Sequence, residues 1–441
     1  MASLVLLIAL GGLITPVSHT ANRHPRILVG NLTNKEFLTS IEKVDWKRQI
    51  IADKKEQLHR YMDLCLEDPE WLLSRLQMNW DTKHNEVYLV GGKFSHSDGT
   101  APVPTVRYSG SRDWATDYRT PELEEVEPYL DDPRGLYLQH KETEQWEWIL
   151  PPQTGHIIEN INEDVMQLVA DAAFFFWLTG DVKYAEFATP MFFHDMEGMH
   201  YRNPPTQVDN SPHAGLSGLA TFEVIHESIV VSLALTYDFL FDYFKSNDRD
   251  LTHSQAVFQK WGDQIIKNGV PNNNWNLFQA RFLTYIALVL EDDQHYENGK
   301  GQQYYLKNTF ENSSERQIAL RESMLVFDQH NGIWPESPSY SLHVITTLLE
   351  ILTLLDHSTN VNELANYPII EKAARSSFQY LFPSGYTVGF GDSNHRTVPP
   401  KNLELLVAHY RKYDQKQKEL EMTALLEQMI EQDLYQREAR G

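Results

Sequence analysis

Residues 341–355 read SLHVITTLLEILTLL. Ile345, Leu348, Leu349, Leu352 and Leu355 return at three- and four-residue steps, the apolar stripe of a helix with one face in a core. The ten residues ahead of it, Asn331-Gly332-Ile333-Trp334-Pro335-Glu336-Ser337-Pro338-Ser339-Tyr340, read as the entry to that helix. Asn-Gly marks a tight turn, Ser337 is a natural N-cap and Pro338 a natural first helical residue.

The same period extends outward. Phe278, Phe282, Ile286 and Leu290 line one face of 275–290, and Phe222, Ile225, Ile229, Leu233 and Leu240 one face of 219–240. Further helices are expected at 35–76, 252–267, 316–327, 361–381 and 402–437. No run of alternating strands is present, which excludes a parallel βαβ fold. About a dozen helices without a fixed short repeat fit antiparallel pairs closing into an α/α toroid, rather than a straight repeat array. Residues 80–160 break the pattern. They hold Gly91-Gly92, seven prolines and many Trp and Tyr, as in loops that shape a binding face. The expected organisation is an N-terminal segment (22–160) of helices and aromatic loops, a main helical toroid (161–400) and a charged helical end (401–441).

The chain has 441 residues, with 38 Lys and Arg against 61 Asp and Glu, a net charge of −23. That balance argues against nucleic acid and anionic membrane as partners, and an anionic substrate would need a local basic cleft. Aromatics make up 12% of the residues, enough for sugar stacking or for a large aromatic core. Cys65 is the single cysteine, so neither an intrachain disulfide nor a cysteine-based metal site is expected. The apolar run Leu4–Ile14, followed by small and polar residues, reads as a signal peptide over 1–21, despite lacking a preceding Lys or Arg. The expected location is therefore periplasmic or secreted. No later segment reads as a membrane span.

Two helix starts carry candidate chemistry. Tyr340 falls in the first turn after the Ser337 cap, where the positive end of the helix dipole favours a phenolate, the form that can abstract a carbon-bound proton. A structural tyrosine beside a good cap fits the same pattern. Asn272-Asn273-Asn274-Trp275 opens the 275–290 helix. Asn274 is either an N-cap or an amide placed to bind a uronate carboxylate and stabilise an enolate-like intermediate, with Trp275 stacking on a sugar. Arg281, His395 and Arg396 are candidate anion contacts, or ordinary surface ion pairs. His343 lies one turn beyond Tyr340, and Glu336 is placed to brace the site. His226 reads as a core histidine, and Glu227 has no His at 230 to complete a metalloprotease motif. Asn31 and Asn312 begin glycosylation sequons. No phosphate loop, nucleophile elbow or metal-ligand cluster is visible, so no cofactor is expected.

The Asn331–Tyr340 stretch, with its Gly-containing turn before Glu-x-Ser-Pro-x-Tyr, resembles the signature of the heparinase II/III-like polysaccharide lyases. Asn274-Trp275, the Thr179-Gly180-Asp181-Val182-Lys183-Tyr184-Ala185 junction, Gly391-Asp392-Ser393 and His24-Pro25-Arg26 resemble, in order, other elements of that family. The resemblance implies β-elimination of a uronate polysaccharide such as heparin, heparan sulfate or alginate. It also implies Tyr340 as acid and base, and Asn274 as the group that neutralises the carboxylate. Family members continue into a C-terminal β-sandwich, which the sequence lacks, so an incomplete toroid is expected. Two rival readings are a toroid glycoside hydrolase using Glu336 and Asp392, and a non-catalytic polysaccharide-binding toroid.

Overall fold

Gly180 ends the helix Ile157–Thr179 in a left-handed conformation (φ 73°), its N–H bonded to Phe176 O, and Asp181 caps the next helix by accepting from Lys183 N–H. This is the Thr179–Ala185 junction, and it sets the pattern of the fold. The computed structural model describes residues 23–434 apart from 31, 44, 86, 91–92, 97–98, 109–115, 132–134, 203–227, 272, 360 and 392. Two N-terminal helices, α1 (Asn34–Glu42) and α2 (Asp45–Glu67), lead through a loop-rich segment to α3 (Ile157–Thr179) and α4 (Val182–His200). Then follow α5 (Ile229–Ser246), α6 (Thr252–Asn268), α7 (Trp275–Val289), α8 (Gln302–Phe310), the short α9 (Leu320–Ser323), α10 (Pro338–Thr359), the short α11 (Glu363–Asn366), α12 (Pro368–Ser376), α13 (Pro400–Lys412) and α14 (Lys416–Glu431).

α3, α5, α7, α10 and α13 form an arc of neighbours running in one direction. Phe174 packs on Phe239 and Phe176 on Tyr243, matching the C-terminal halves of α3 and α5. Lys401 pairs with Glu350 and Lys412 with Asp356, matching α13 to α10 in the same sense. α4, α6, α8, α12 and α14 return between them. α7 is buried at nearly every position from Asn276 to Leu290. The architecture is the all-α, toroid-like arrangement that the helical periodicity implied. By length and composition α10 would pass as a membrane span, contrary to the sequence expectation, but 72% of its most apolar window is buried within the protein.

Residues 80–160 are less irregular than expected. They supply most of three two-stranded antiparallel pairs: β1 (Met78–Asn79) with β4 (Thr105–Val106), β2 (Val87–Val90) with β3 (Lys93–His96), and β5 (Leu136–Gln139) with β6 (Trp146–Ile149). In β5, Leu136 and Leu138 point inward while Tyr137 faces out onto Trp148 across the pair. Strands of two to four residues are too short to show an alternating period. The N-terminal part of the helix expected at 219–240, with His226 and Glu227, lies outside the described residues, as do the 1–21 segment, Asn31 and Asp392.

His24-Pro25-Arg26 turns out to be a strap across the C-terminal ends of the arc. His24 Nδ1 lies 2.5 Å from Asp238 Oδ1 on α5, and Nε2 3.0 Å from Glu291 just after α7. The backbone N–H groups of Arg26 and Ile27 donate to the Asp238 carboxylate, and the Arg26 guanidinium donates to Leu290 O and to Glu291. Ser358, near the end of α10, donates to Arg26 O at 3.0 Å. One short segment thus satisfies helix-end carbonyls and a buried carboxylate from three helices.

Candidate active site

The strap lies at the end where the arc helices finish. The two candidate residues lie where they begin. Arg281 faces Glu350 at 3.7 Å, and further along, Leu290 O and Ser358 meet at Arg26, so α7 and α10 run parallel with a constant offset. Counting back seven residues from that ion pair reaches Asn274 on α7 and His343 on α10 at one height, about 10 Å above Arg281. Tyr340 is one turn beyond His343. The packing therefore brings both helix starts to one end of the molecule.

Asn274 stands immediately before α7, is buried, and has helical backbone angles (φ −56°, ψ −26°) without a capping bond from its side chain. The cap is made by Asn273 instead, whose Oδ1 accepts from Trp275 N–H at 2.8 Å. Asn276 anchors the helix start. Its amide donates to Ile318 O and Ser323 Oγ, and its oxygen accepts from Ile318 N–H. The sequence reading missed Asn276, and four asparagines within five residues gave no means of dividing the roles. Trp275 is half-buried at the first helical position.

The turn before α10 is built as expected. Gly332 has φ +78°, and a Cβ there would come within 2.8 Å of Ala373 N. Asp328 accepts from the backbone N–H groups of His330 and Asn331, which hold its carboxyl below the usual range. Trp334 is buried edge-on against Phe327 and donates from its indole to Glu336 at 2.5 Å. Glu336 thus braces the turn. The Ser337 carbonyl accepts the first helical bond from Ser341, with Pro338 opening the helix. Tyr340 follows, half-buried in the first turn.

Arg396 brings a guanidinium to this helix. His343 is exposed, and Arg396 Nη1 donates to its Nε2 at 3.0 Å. Because a guanidinium only donates, that nitrogen carries the lone pair. His395 points back into its own loop, Nδ1 to Thr387 O at 2.9 Å. Arg281 is engaged lower down, where Glu350 also accepts from Tyr285 at 3.1 Å and faces Lys401 at 3.6 Å. Burial beside Glu350 pushes the Tyr285 phenol well up. The sequence reading missed this cluster. Its one signal was Glu350, the single acidic residue within the apolar stripe of 341–355.

One end of the α/α arc thus gathers helix starts that carry a tyrosine, an asparagine and a nearby guanidinium. Residues 330–440 match the family described as the second domain of endo-acting ulvan lyase. Over 250 residues the chain is 27% identical to the endo-acting ulvan lyase of Formosa agariphila, a match covering 51% of this chain and 28% of that protein. The chain thus spans little more than a quarter of the length of the relative it matches. Both similarities are to polysaccharide lyases, the class that the sequence motifs indicated, and both name an ulvan lyase rather than a heparinase II/III-like enzyme.

Proposed function

We propose that this protein is a polysaccharide lyase that cleaves a uronate-containing polysaccharide of the ulvan type by β-elimination. The observation that carries the reading is the parallel packing of α7 and α10, which sets Asn274 and Tyr340 at one end on adjacent helix starts. The similarity to an ulvan lyase supports this choice of polymer over heparin, heparan sulfate or alginate. The apolar Leu4–Ile14 run supports export to the periplasm or beyond.

The C5 proton of a uronate is weakly acidic because the ionised carboxylate resists further negative charge. Asn274 donates to that carboxylate from a helix start, where the dipole adds to the effect. Tyr340 as phenolate takes the C5 proton, the C4–C5 double bond forms, and the C4–O bond breaks. The same phenol then protonates the departing oxygen, so the proton is returned and no co-reactant is needed. A hydrolase reading would need Glu336 as a free acid, whereas its carboxylate is engaged by the Trp334 indole.

The test is turnover of ulvan and other uronate polysaccharides, followed by absorbance of the unsaturated product, which hydrolysis does not make. Tyr340→Phe keeps the ring and removes the proton carrier. It is expected to lower kcat by at least ~10²-fold with the fold intact. Full activity of that variant on a substrate the parent cleaves would overturn the mechanism.

A further inference from the structure

The groups above handle one sugar ring, but a polysaccharide presents several. Beside Tyr340 the chain displays an aromatic side chain that its own packing leaves largely open. Phe390 is 58% exposed, the most exposed aromatic among the described residues. It stands between Gly389 and Gly391 in a loop whose base is closed by Thr387 N–H to Arg396 O (2.8 Å) and Arg396 N–H to Thr387 Oγ1 (3.0 Å). His395 stiffens the loop from within. Its imidazole lies so close to Gly389 that a Cβ there would be 3.1 Å from the ring.

The loop meets α10 at two points. Gly391, at φ +66°, rests against Ser337, where a Cβ would lie 3.6 Å from the serine Cβ. Arg396 reaches His343 at 3.0 Å. Ser337 and His343 bracket Tyr340 in sequence, so the 387–396 loop runs alongside it. A flat apolar ring and a guanidinium are thereby presented from one braced loop. The C–H face of a pyranose stacks on such a ring, and a guanidinium meets a carboxylate or sulfate in a forked geometry. Each element alone is unspecific. Together they select a sugar that is apolar on one face and anionic at its edge.

Resting on the lyase reading, we propose that Phe390 and Arg396 form a second sugar subsite, in which Phe390 stacks on the residue next to the one cleaved and Arg396 binds its anionic substituent. Phe390 is then a binding residue that the chemistry at Tyr340 does not itself require.

The experiment compares kcat and KM on the polymer for the parent and for Phe390→Ala, Phe390→Leu and Phe390→Trp, and repeats binding by calorimetry in the Tyr340→Phe background. Phe390→Ala is expected to raise KM and weaken binding about three- to tenfold, the effect falling on KM rather than kcat. Phe390→Leu, apolar but not flat, should lose as much, and Phe390→Trp should restore binding. Arg396→Ala should weaken sulfated and carboxylated oligosaccharides differently, and the larger loss identifies the substituent. Unchanged KM and binding in Phe390→Ala would overturn the subsite while leaving the Tyr340 mechanism standing. Full activity of Tyr340→Phe with impaired Phe390→Ala would overturn the mechanism and keep the subsite. Absence of binding by the parent to any uronate polymer would overturn both.

Discussion

His24 Nδ1 lies 2.5 Å from Asp238 Oδ1 with both side chains buried, which makes this contact the seal between the N-terminal strap and α5. Burial opposes the charged imidazole, but the hydrogen bonds to Asp238 and Glu291 outweigh it and raise the His24 pKa above its ordinary 6.5. For Glu291, burial is likewise outweighed by the bonds from His24 and Arg26, and its pKa is pushed down to about 2. The signs follow from linkage. The His24 contribution is fully present below 6.5 and is lost as pH rises through the elevated value. The Glu291 contribution is present above 4.5 and is lost as pH falls toward about 2. Chemical denaturation across pH should show the strap strongest between those limits. His24→Ala should cost about 3–5 kcal/mol at pH 5.5 and flatten the alkaline limb of the profile.

The division of labour at the start of α7 gives a paired prediction. Asn273→Ala removes the cap on Trp275 N–H and should cost about 0.5–2 kcal/mol of stability. Asn274→Ala removes no cap. It should leave the melting temperature nearly unchanged while lowering kcat by ~10²–10³, as for a lost oxyanion donor. A reversed pattern, measured by thermal melts and steady-state kinetics, would mean that the roles have been exchanged.

Glu336→Gln separates lyase from hydrolase. If the carboxylate only braces Trp334, the amide oxygen can still accept the indole N–H, and turnover should fall by less than about tenfold. Near-complete loss, together with a product lacking the unsaturated bond, would favour the hydrolase.

A test of the fold lies at Gly198 on α4. A Cβ there would come within 2.4 Å of Met78 Cε and 3.0 Å of Val106 N, because the β1–β4 pair lies directly on the helix. The methionine end can move, but the strand backbone cannot without shifting the pair. Gly198→Ala should therefore destabilise by about 1–3 kcal/mol through overpacking, read as a lowered midpoint of denaturation.

The helices were legible because their signal is local. The stripe Ile345–Leu355 and the Ser337-Pro338 entry mark α10 from within a few residues. Tyr340 and Asn274 stood out for the same reason, as unusual residues at helix starts. What sequence could not reveal depends on partners far along the chain. Arg281 read as an anion contact or a surface ion pair, and only α10 showed that its partner is Glu350. His24-Pro25-Arg26 matched a family motif without any indication that it bridges α5, α7 and α10. Phe390 was one aromatic among many until the loop's contacts with Ser337 and His343 placed it beside Tyr340.

The strap also bears on how such a chain is made. His24 and Arg26 leave the ribosome well before their partners, whose seats lie 214, 267 and 332 positions later, at Asp238, Glu291 and Ser358. Until the last of these emerges, the nascent arc has an unsealed end and an N-terminal segment with nowhere to dock. Contacts this remote in sequence slow folding, because the loop must close before any bond rewards it. The helical hairpins can form as they appear, but the strap can dock fully only after Ser358 has emerged. The slow step in producing this protein should therefore be closure of its strapped end, and conditions that hold the partly made chain soluble should raise its yield more than substitutions around Tyr340 and Asn274.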